Sequence, residues 1–350
     1  MKQYIYLILA FFCVLVTGVS CTNDSYPDNP TIVSPISALV LSVEGMDYVA
    51  VPKLTDDKVV DHTLSIEVRK PGTKAIVKSI VLADAGASIN IAEGDEVTFV
   101  NNKLSLTLTK GTVSESYFVE MTFNPPPFMY FVKSGDYGPN GDRYYLDVEH
   151  AQKLASINYD DNFEGYIDLT GTNWDNIGLV ESGQASYYDY NGGLTSAQTS
   201  ALYTMVKKEA PGGNVFPCDG PWGDWTTKNG NEGIVSPGVW KINFNAGTGV
   251  MSLLETQWAI TGTATDVLKA MTYSSSTDQW SLDADLSVGS LKFTTIAVSS
   301  GDPVVTYGAS EGLSKLSESG KDIEISSAGN YNIILDLSNP PYYDYVITKK

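Results

Sequence analysis

The segment Cys218-Asp219-Gly220-Pro221-Trp222-Gly223-Asp224-Trp225-Thr226-Thr227-Lys228-Asn229 holds the densest potential chemistry in the chain. Its glycines and proline keep it off regular structure, and two indoles stand among aspartate, asparagine and lysine. A flat apolar ring suits the C–H face of a pyranose, while neighbouring polar side chains satisfy the sugar hydroxyls. Trp222, Trp225 and Lys228 are therefore candidate sugar ligands. The competing reading is that one or both indoles fold back as a plug over the core. Trp174, in Thr172-Asn173-Trp174, and Tyr187 and Tyr188, in Tyr187-Tyr188-Asp189-Tyr190-Asn191, are second contributors, although strand alternation should bury at least one of those tyrosines. Trp240, Trp258 and Trp280 stand in alternating runs and are expected in the core.

Catalysis has less to stand on. The only two histidines, His62 and His150, are far apart, and no serine sits in a nucleophile-elbow setting. Asp160-Asp161 supplies the two carboxylates a glycosidase needs, but adjacent acids on a strand point to opposite faces. The expectation is a binding protein rather than an enzyme, with no cofactor and no metal. Of three cysteines, Cys13 and Cys21 lie near the start of the chain, which leaves Cys218 alone in the folded part and excludes a cysteine-rich metal site. Cys218 reads as a small buried side chain.

The chain opens with Lys2, an apolar run from Tyr4 to Val16, and the small or neutral residues Thr17-Gly18-Val19-Ser20 before Cys21. That order is the layout of a secretory signal over residues 1–20, and the apolar run is shorter than the roughly 20 residues a spanning helix needs. Val19-Ser20-Cys21 resembles the lipobox of bacterial lipoproteins, with Gly18 where the pattern usually has leucine. The resemblance implies a lipid on the Cys21 thiol and attachment to a membrane. Residues 21–33 are polar and proline-rich and read as a tether. The net charge of -19 excludes nucleic acid as a partner, since phosphate binding needs clustered lysine and arginine.

The elements that would position these residues are strands. Apolar residues alternate with polar ones in Leu64-Ile66-Val68, Leu104-Leu106-Leu108, Trp240-Ile242-Phe244, Trp280-Leu282-Ala284-Leu286 and Tyr331-Ile333-Leu335-Leu337. Turn-forming clusters separate them, among them Asn245-Ala246-Gly247-Thr248-Gly249 and Ser299-Ser300-Gly301-Asp302-Pro303. Thr195 to Glu209 reads as helix or strand. The pattern predicts an all-β chain of tandem β-sandwich domains, over residues 34–124, 128–254 and 255–350, with Pro125-Pro126-Pro127 as a stiff hinge. Thr170-Gly171-Thr172 recurs as Thr261-Gly262-Thr263, and Pro237-Gly238-Val239-Trp240-Lys241-Ile242 matches the pattern of Ala328-Gly329-Asn330-Tyr331-Asn332-Ile333. Both pairs are 91 residues apart (170 to 261, 237 to 328), which predicts a duplicated domain, with Phe128 to Glu164 as an N-terminal extension of the first copy, either extra strands or an insertion.

The segments Gly238-Val239-Trp240-Lys241-Ile242-Asn243-Phe244, Trp258-Ala259-Ile260-Thr261-Gly262-Thr263-Ala264-Thr265, Met271-Thr272-Tyr273-Ser274, Gln279-Trp280-Ser281-Leu282 and Leu291-Lys292-Phe293 form a series. It resembles the C-terminal repeats of the SusE/SusF family of outer-membrane starch-binding lipoproteins. The region 34–124 is similar to the immunoglobulin-like module such proteins often carry. The resemblance implies immunoglobulin-like and carbohydrate-binding-module-like sandwiches and a lipid anchor at the outer membrane on the cell surface. It further implies poly- or oligosaccharide binding beside a TonB-dependent transporter and its SusD-like partner. Where the family often has Gly-Gly-Trp after Ala-Thr, Thr265 is followed by Asp266-Val267-Leu268, so the implied site falls to the second domain, which keeps Trp174. The other reading, from a different class, is a structural or adhesion lipoprotein whose sandwiches act as spacers or partner surfaces.

Overall fold

The structure is a computed structural model that describes residues 36–56, 58–70, 72–133, 136–142, 144–169, 177–194, 201–218, 238–298 and 301–350. The leader, Cys21 and the tether lie outside the described residues. Among those described, every regular element is a β-strand, and the alternating runs are strands whose apolar residues face the cores. Ala201–Glu209 resolves the ambiguous segment as a strand; residues 195–200 lie outside the described set.

The first unit is a two-sheet sandwich. One sheet orders Met46–Val49, Ile36–Val43, Lys74–Leu82 and Glu96–Thr98; the other orders Val51–Thr55, Lys58–Val68, Val113–Phe123, Lys103–Lys110 and Ser88–Ile89. Leu39, Leu41 and Val77 from the first sheet meet Ile66, Leu106 and Val119 from the second in one core. Leu104, Leu106 and Leu108 all reach that core because Ser105 and Thr107 take the opposite face of the pleat.

The middle unit departs from the expected open sandwich. Eight strands close into a barrel in the order Phe128–Lys133, Lys153–Ala155, Asn162–Asp168, Val239–Asn245, Val250–Thr256, Ala201–Glu209, Ser186–Leu194, Ile177–Glu181 and back to Phe128–Lys133. Closure comes from the first strand, where Met129 pairs with Glu181 and Lys133 with Ile177. Of the two readings of Phe128 to Glu164, extra strands or an insertion, the structure shows the first: Phe128–Lys133 and Lys153–Ala155 are staves of the barrel, and they remove the open edges that a sheet beginning at Gly165 would leave. Phe131, Ile167, Leu179, Trp240, Ile242, Phe244 and Met251 fill the interior, as side chains do in an eight-stranded barrel. Gly249 turns the hairpin between Val239–Asn245 and Val250–Thr256. Its φ of 71° and the Met205 carbonyl, 2.3 Å from where a Cβ would sit, leave room for glycine alone.

Part of the barrel's outer surface carries a second small core. Val132, Val180 and Tyr187 point outward from their strands and are covered by Leu146, Phe216 and Cys218 from the flanking segments. Cys218 is buried against Gly178, where a Cβ would come within 2.6 Å of its Sγ.

The third unit is again a sandwich. Lys269–Ala270, Trp258–Thr261, Gly289–Thr295, Thr306–Ala309 and Leu316–Ser317 form one sheet, with Ile323–Ile325 beside Gly289–Thr295. Thr272–Ser274, Gln279–Leu286, Gly329–Asp336 and Asp344–Lys349 form the other. The predicted repeat survives as the hairpin Val239–Asn245/Val250–Thr256 and its counterpart Gly329–Asp336/Asp344–Lys349. The wider pairing differs. Asn162–Asp168 pairs directly with Val239–Asn245, whereas the strands at the matching positions of the third unit, Trp258–Thr261 and Gly329–Asp336, lie in different sheets.

The units are tied together. Tyr166, Val239 and Leu254 on the barrel's outer face belong to the core that holds Trp258, Phe293 and Ile333 of the third unit. The Arg69 guanidinium of the first unit lies 4.6 Å from the Tyr159 ring centroid, and the Tyr342 hydroxyl donates to the Arg69 carbonyl at 2.8 Å. The Tyr159 hydroxyl donates to the Asn124 carbonyl, and the Ser156 N–H to the Pro127 carbonyl. The proline hinge is thus clasped at both ends.

Candidate functional site

The outer face of the barrel changes character along three neighbouring strands. On Val239–Asn245 the outward residues are Val239, Lys241, Asn243 and Asn245, since Trp240, Ile242 and Phe244 point into the barrel. Across the ladder Asn162 stands opposite Asn245, Glu164 opposite Asn243 and Tyr166 opposite Lys241. On the other side Val250, Ser252 and Leu254 stand opposite Asn245, Asn243 and Lys241. The apolar end of this face, Val239, Leu254 and Tyr166, packs on the third unit. The amide-rich end stays open and forms one wall of a cleft of about 610 Å³ between the two units. Ser314, Leu316, Ser317, Glu318, Pro341 and Tyr343 form the facing wall. The volume lies within the range of about 300–1,000 Å³ typical of small-molecule sites.

A buried polar network closes the inner end. Lys241 is 4% exposed, and its ammonium reaches Glu164 Oε2 at 2.9 Å and Glu318 Oε1 at 2.8 Å. Glu164 Oε1 accepts from the Tyr307 hydroxyl at 3.1 Å and the Tyr343 hydroxyl at 3.2 Å. The Tyr166 hydroxyl donates to the Tyr307 oxygen at 3.0 Å, so the network spans both units. Burial pulls the Lys241 pKa down, but the charges and hydrogen bonds of Glu164 and Glu318 outweigh it and the net direction is up. Burial, and then the Glu164 charge, hold the Tyr307 and Tyr343 hydroxyls protonated far above the usual tyrosine range. Tyr307 stacks on Trp258 with centroids 5.4 Å apart and planes 18° apart. The two tyrosines therefore offer the cleft hydroxyl groups rather than ring faces.

Asn162 and Asn245 are already engaged, the Asn245 amide N–H donating to Asn162 Oδ1 at 2.8 Å and Asn245 Oδ1 accepting from Thr248. The side chains of Asn243 and Ser252, neighbours across the strands, make no hydrogen bond among the described residues, and both line the cleft. The cleft is a hydroxyl- and amide-lined groove with two carboxylates and one neutralised ammonium. It can exchange hydrogen bonds with a polyhydroxylated ligand.

The residues singled out from sequence fare differently. Trp174, Trp222, Trp225 and Lys228 lie outside the described residues. Tyr187 and Tyr188 are 4% and 5% exposed. Tyr188 points into the barrel against Phe244, and Tyr187 points outward under Phe216. Alternation holds, yet neither ring is open, because a covering layer buries the face that would otherwise meet water. Trp240, Trp258 and Trp280 are buried. Asp160 holds a turn, accepting from the Asn162 N–H and the Ser156 hydroxyl, and those bonds lower its pKa. The sequence reasoning passed over Asn162, Glu164, Lys241, Asn243, Ser252 and Glu318. Lys241, Asn243 and Asn245 alternate with three core residues, a visible signal of an outward polar row, but nothing local says which unit lies opposite.

No protein-family model matches the chain, and no curated protein matches it. Among solved structures the chain is similar to the crystal structure of SusF from Bacteroides thetaiotaomicron at 12% identity and a TM-score of 0.23. That match covers 82% of this chain and 74% of that one. At that score the likeness carries no weight for function.

Proposed function

We propose that the chain is a lipid-anchored protein of the outer-membrane surface that binds poly- or oligosaccharide without cleaving it, as an accessory of a Sus-like glycan uptake system. The observation that carries this reading is the cleft, whose amides, hydroxyls and carboxylates match the hydrogen-bonding surface of a sugar. The signal-like leader with Cys21, and the sequence segments similar to the SusE/SusF repeats, support the location and the setting beside a TonB-dependent transporter and a SusD-like protein. The aromatic loop with Trp222 and Trp225 extends the same reading to a stacking site.

The test is a glycan array probed with the soluble protein beginning after Cys21, followed by affinity gels containing the polysaccharides that score. Retention on at least one gel with no release of reducing ends is expected. An array without signal would overturn the reading in favour of a spacer or adhesion role, and released reducing ends would overturn the absence of catalysis.

A further inference from the structure

Three outward residues of one barrel strand face the third unit in succession. Along Asn162–Asp168 the side chains of Phe163 and Ile167 fill the barrel, so Glu164, Tyr166 and Asp168 point out of it, about 6.8 Å apart along the strand. Glu164 meets Lys241 and two tyrosine hydroxyls, and Tyr166 enters the apolar core around Trp258. Asp168 meets Tyr273, whose hydroxyl lies within hydrogen-bonding reach of its carboxylate. The same hydroxyl donates to Asp278 Oδ1 at 2.6 Å, and the Tyr273 ring lies against Trp280 with centroids 5.1 Å apart.

A phenol has one hydrogen to give, and carboxylates of two different units stand at this one. With Asp278 ionised, Tyr273 spends the hydrogen inside its own unit and turns a lone pair toward Asp168. With Asp278 protonated, the carboxyl O–H donates to the Tyr273 oxygen and the phenol hydrogen passes to Asp168, which makes a charge-assisted hydrogen bond across the joint. The surroundings favour uptake of that proton: burial first, then the charges of Asp168 and Asp336, work against an ionised Asp278, and only the Tyr273 hydrogen bond opposes them. Asp336 accepts from the Gln279 amide and from Ser338, and Glu255 lines a smaller cleft of about 430 Å³ that Tyr273 also lines. Burial holds the Tyr273 hydroxyl protonated far above the usual tyrosine range, so it remains a donor throughout.

We infer that Asp278, Tyr273 and Asp168 form a proton-operated latch between the third unit and the barrel, in which one proton taken up on Asp278 turns the Tyr273 hydroxyl over to Asp168 and fastens this edge of the joint in mild acid. The folded pKa of Asp278 lies above the ordinary 3.8, so the fastening is fully present below 3.8 and is lost as pH rises through the folded value. The apolar core around Tyr166 and Trp258 keeps the units together in either state. The larger cleft has its walls on the same two units, so the latch sets how firmly they are held.

Hydrogen–deuterium exchange read by mass spectrometry, on the protein beginning after Cys21 and in steps from pH 7 to pH 4, tests it, with each variant set against the parent at the same pH. Asp278→Asn carries a donor and an acceptor at every pH and so holds the latch closed. It should slow exchange in peptides containing Leu169 and Met271, whose N–H groups bond to Gly238 and Trp258 at the joint. The slowing should be about threefold to tenfold at pH 7, the worth of one hydrogen bond, and shrink toward pH 4. Tyr273→Phe should speed exchange there at pH 4 and leave it nearly unchanged at pH 7, and in that background Asp278→Asn should slow nothing. Should Tyr273→Phe melt early, Asp168→Ala, which removes the acceptor on the barrel side, should abolish the Asp278→Asn effect in the same way. Slowing that survives either background would make Asp278 a point of charge relief alone and overturn the latch. So would slowing of equal size at pH 7 and pH 4, or none at pH 7.

Discussion

Lys241 sits where a strand of the barrel passes beneath the third unit, and its charge is tolerated there because two carboxylates meet it. Removing the lysine leaves Glu164, itself a third exposed, without its counter-charge, while Glu318 stays largely in water, so the cost is about 1–3 kcal/mol. Lys241→Ala should destabilise the protein by that order in urea unfolding, and Lys241→Met, which keeps the apolar stem, by less. The lysine's folded pKa lies above its ordinary 10.5. Its contribution is therefore complete below about pH 10 and fades as pH rises through the folded value; Lys241→Met should lack that component of the alkaline loss. Asp278 has the opposite problem. Burial first, then the charges of Asp168 and Asp336, raise its pKa, against the opposing hydrogen bond from the Tyr273 hydroxyl at 2.6 Å. Stability is lost as pH rises through that folded pKa. Asn at this position keeps an acceptor for Tyr273 and suits the φ of 52°. Asp278→Asn should raise the melting temperature at pH 7, by about 2–4 °C per kcal/mol gained, and by less at pH 4. The sequence announced neither residue, since Lys241 meets Glu318 from 77 positions away and the charges that raise Asp278 come from the distant Asp168 and Asp336.

Strands were legible because period two is a local signal, and Leu104-Leu106-Leu108 or Tyr331-Ile333-Leu335 leave little room for another reading. Closure of the barrel was not. It depends on Phe128–Lys133 finding Ile177–Glu181, a pairing that no local pattern encodes, and the 91-residue repeat argued for a sandwich like its neighbour. The same gap in local information misplaced the tyrosines: alternation assigns Tyr187 and Tyr188 to opposite faces, but only the tertiary layer of Leu146, Phe216 and Cys218 makes the outer face a core. Tyr188→Ala should therefore act as a core truncation, costing about 3–5 kcal/mol as large aromatics do, while protein that remains folded is retained on glycan gels as the parent is. Loss of retention at full stability would instead make Tyr188 a ligand. The segment with Trp222 and Trp225 lies outside the described residues, and the cleft that is described was left unmarked by the sequence.

The sequence offers one joint between units, the stiff triple-proline hinge Pro125-Pro126-Pro127. Arg69, Tyr159 and Tyr342, one from each unit, converge instead, and burial raises the Tyr342 pKa to about 12. Arg69→Ala, which removes the cation over the Tyr159 ring, should widen the particle's distance distribution in small-angle scattering and expose the segment near Pro125–Pro127 to proteases, while the first unit, and the barrel together with the third unit, keep their melting behaviour. A scattering curve identical to the parent's would mean that the joint is held elsewhere.

Tyr166, Val239 and Leu254 are barrel residues whose apolar partners belong to the next unit. A gene shortened after Thr256 would encode a barrel with that greasy patch bare to water, prone to self-association, and the remaining fragment would begin with Trp258 uncovered on one side. Barrel and C-terminal sandwich are thus a single cooperative folding block, and evolutionary shuffling of this architecture has its natural cut point ahead of Phe128 rather than between the two.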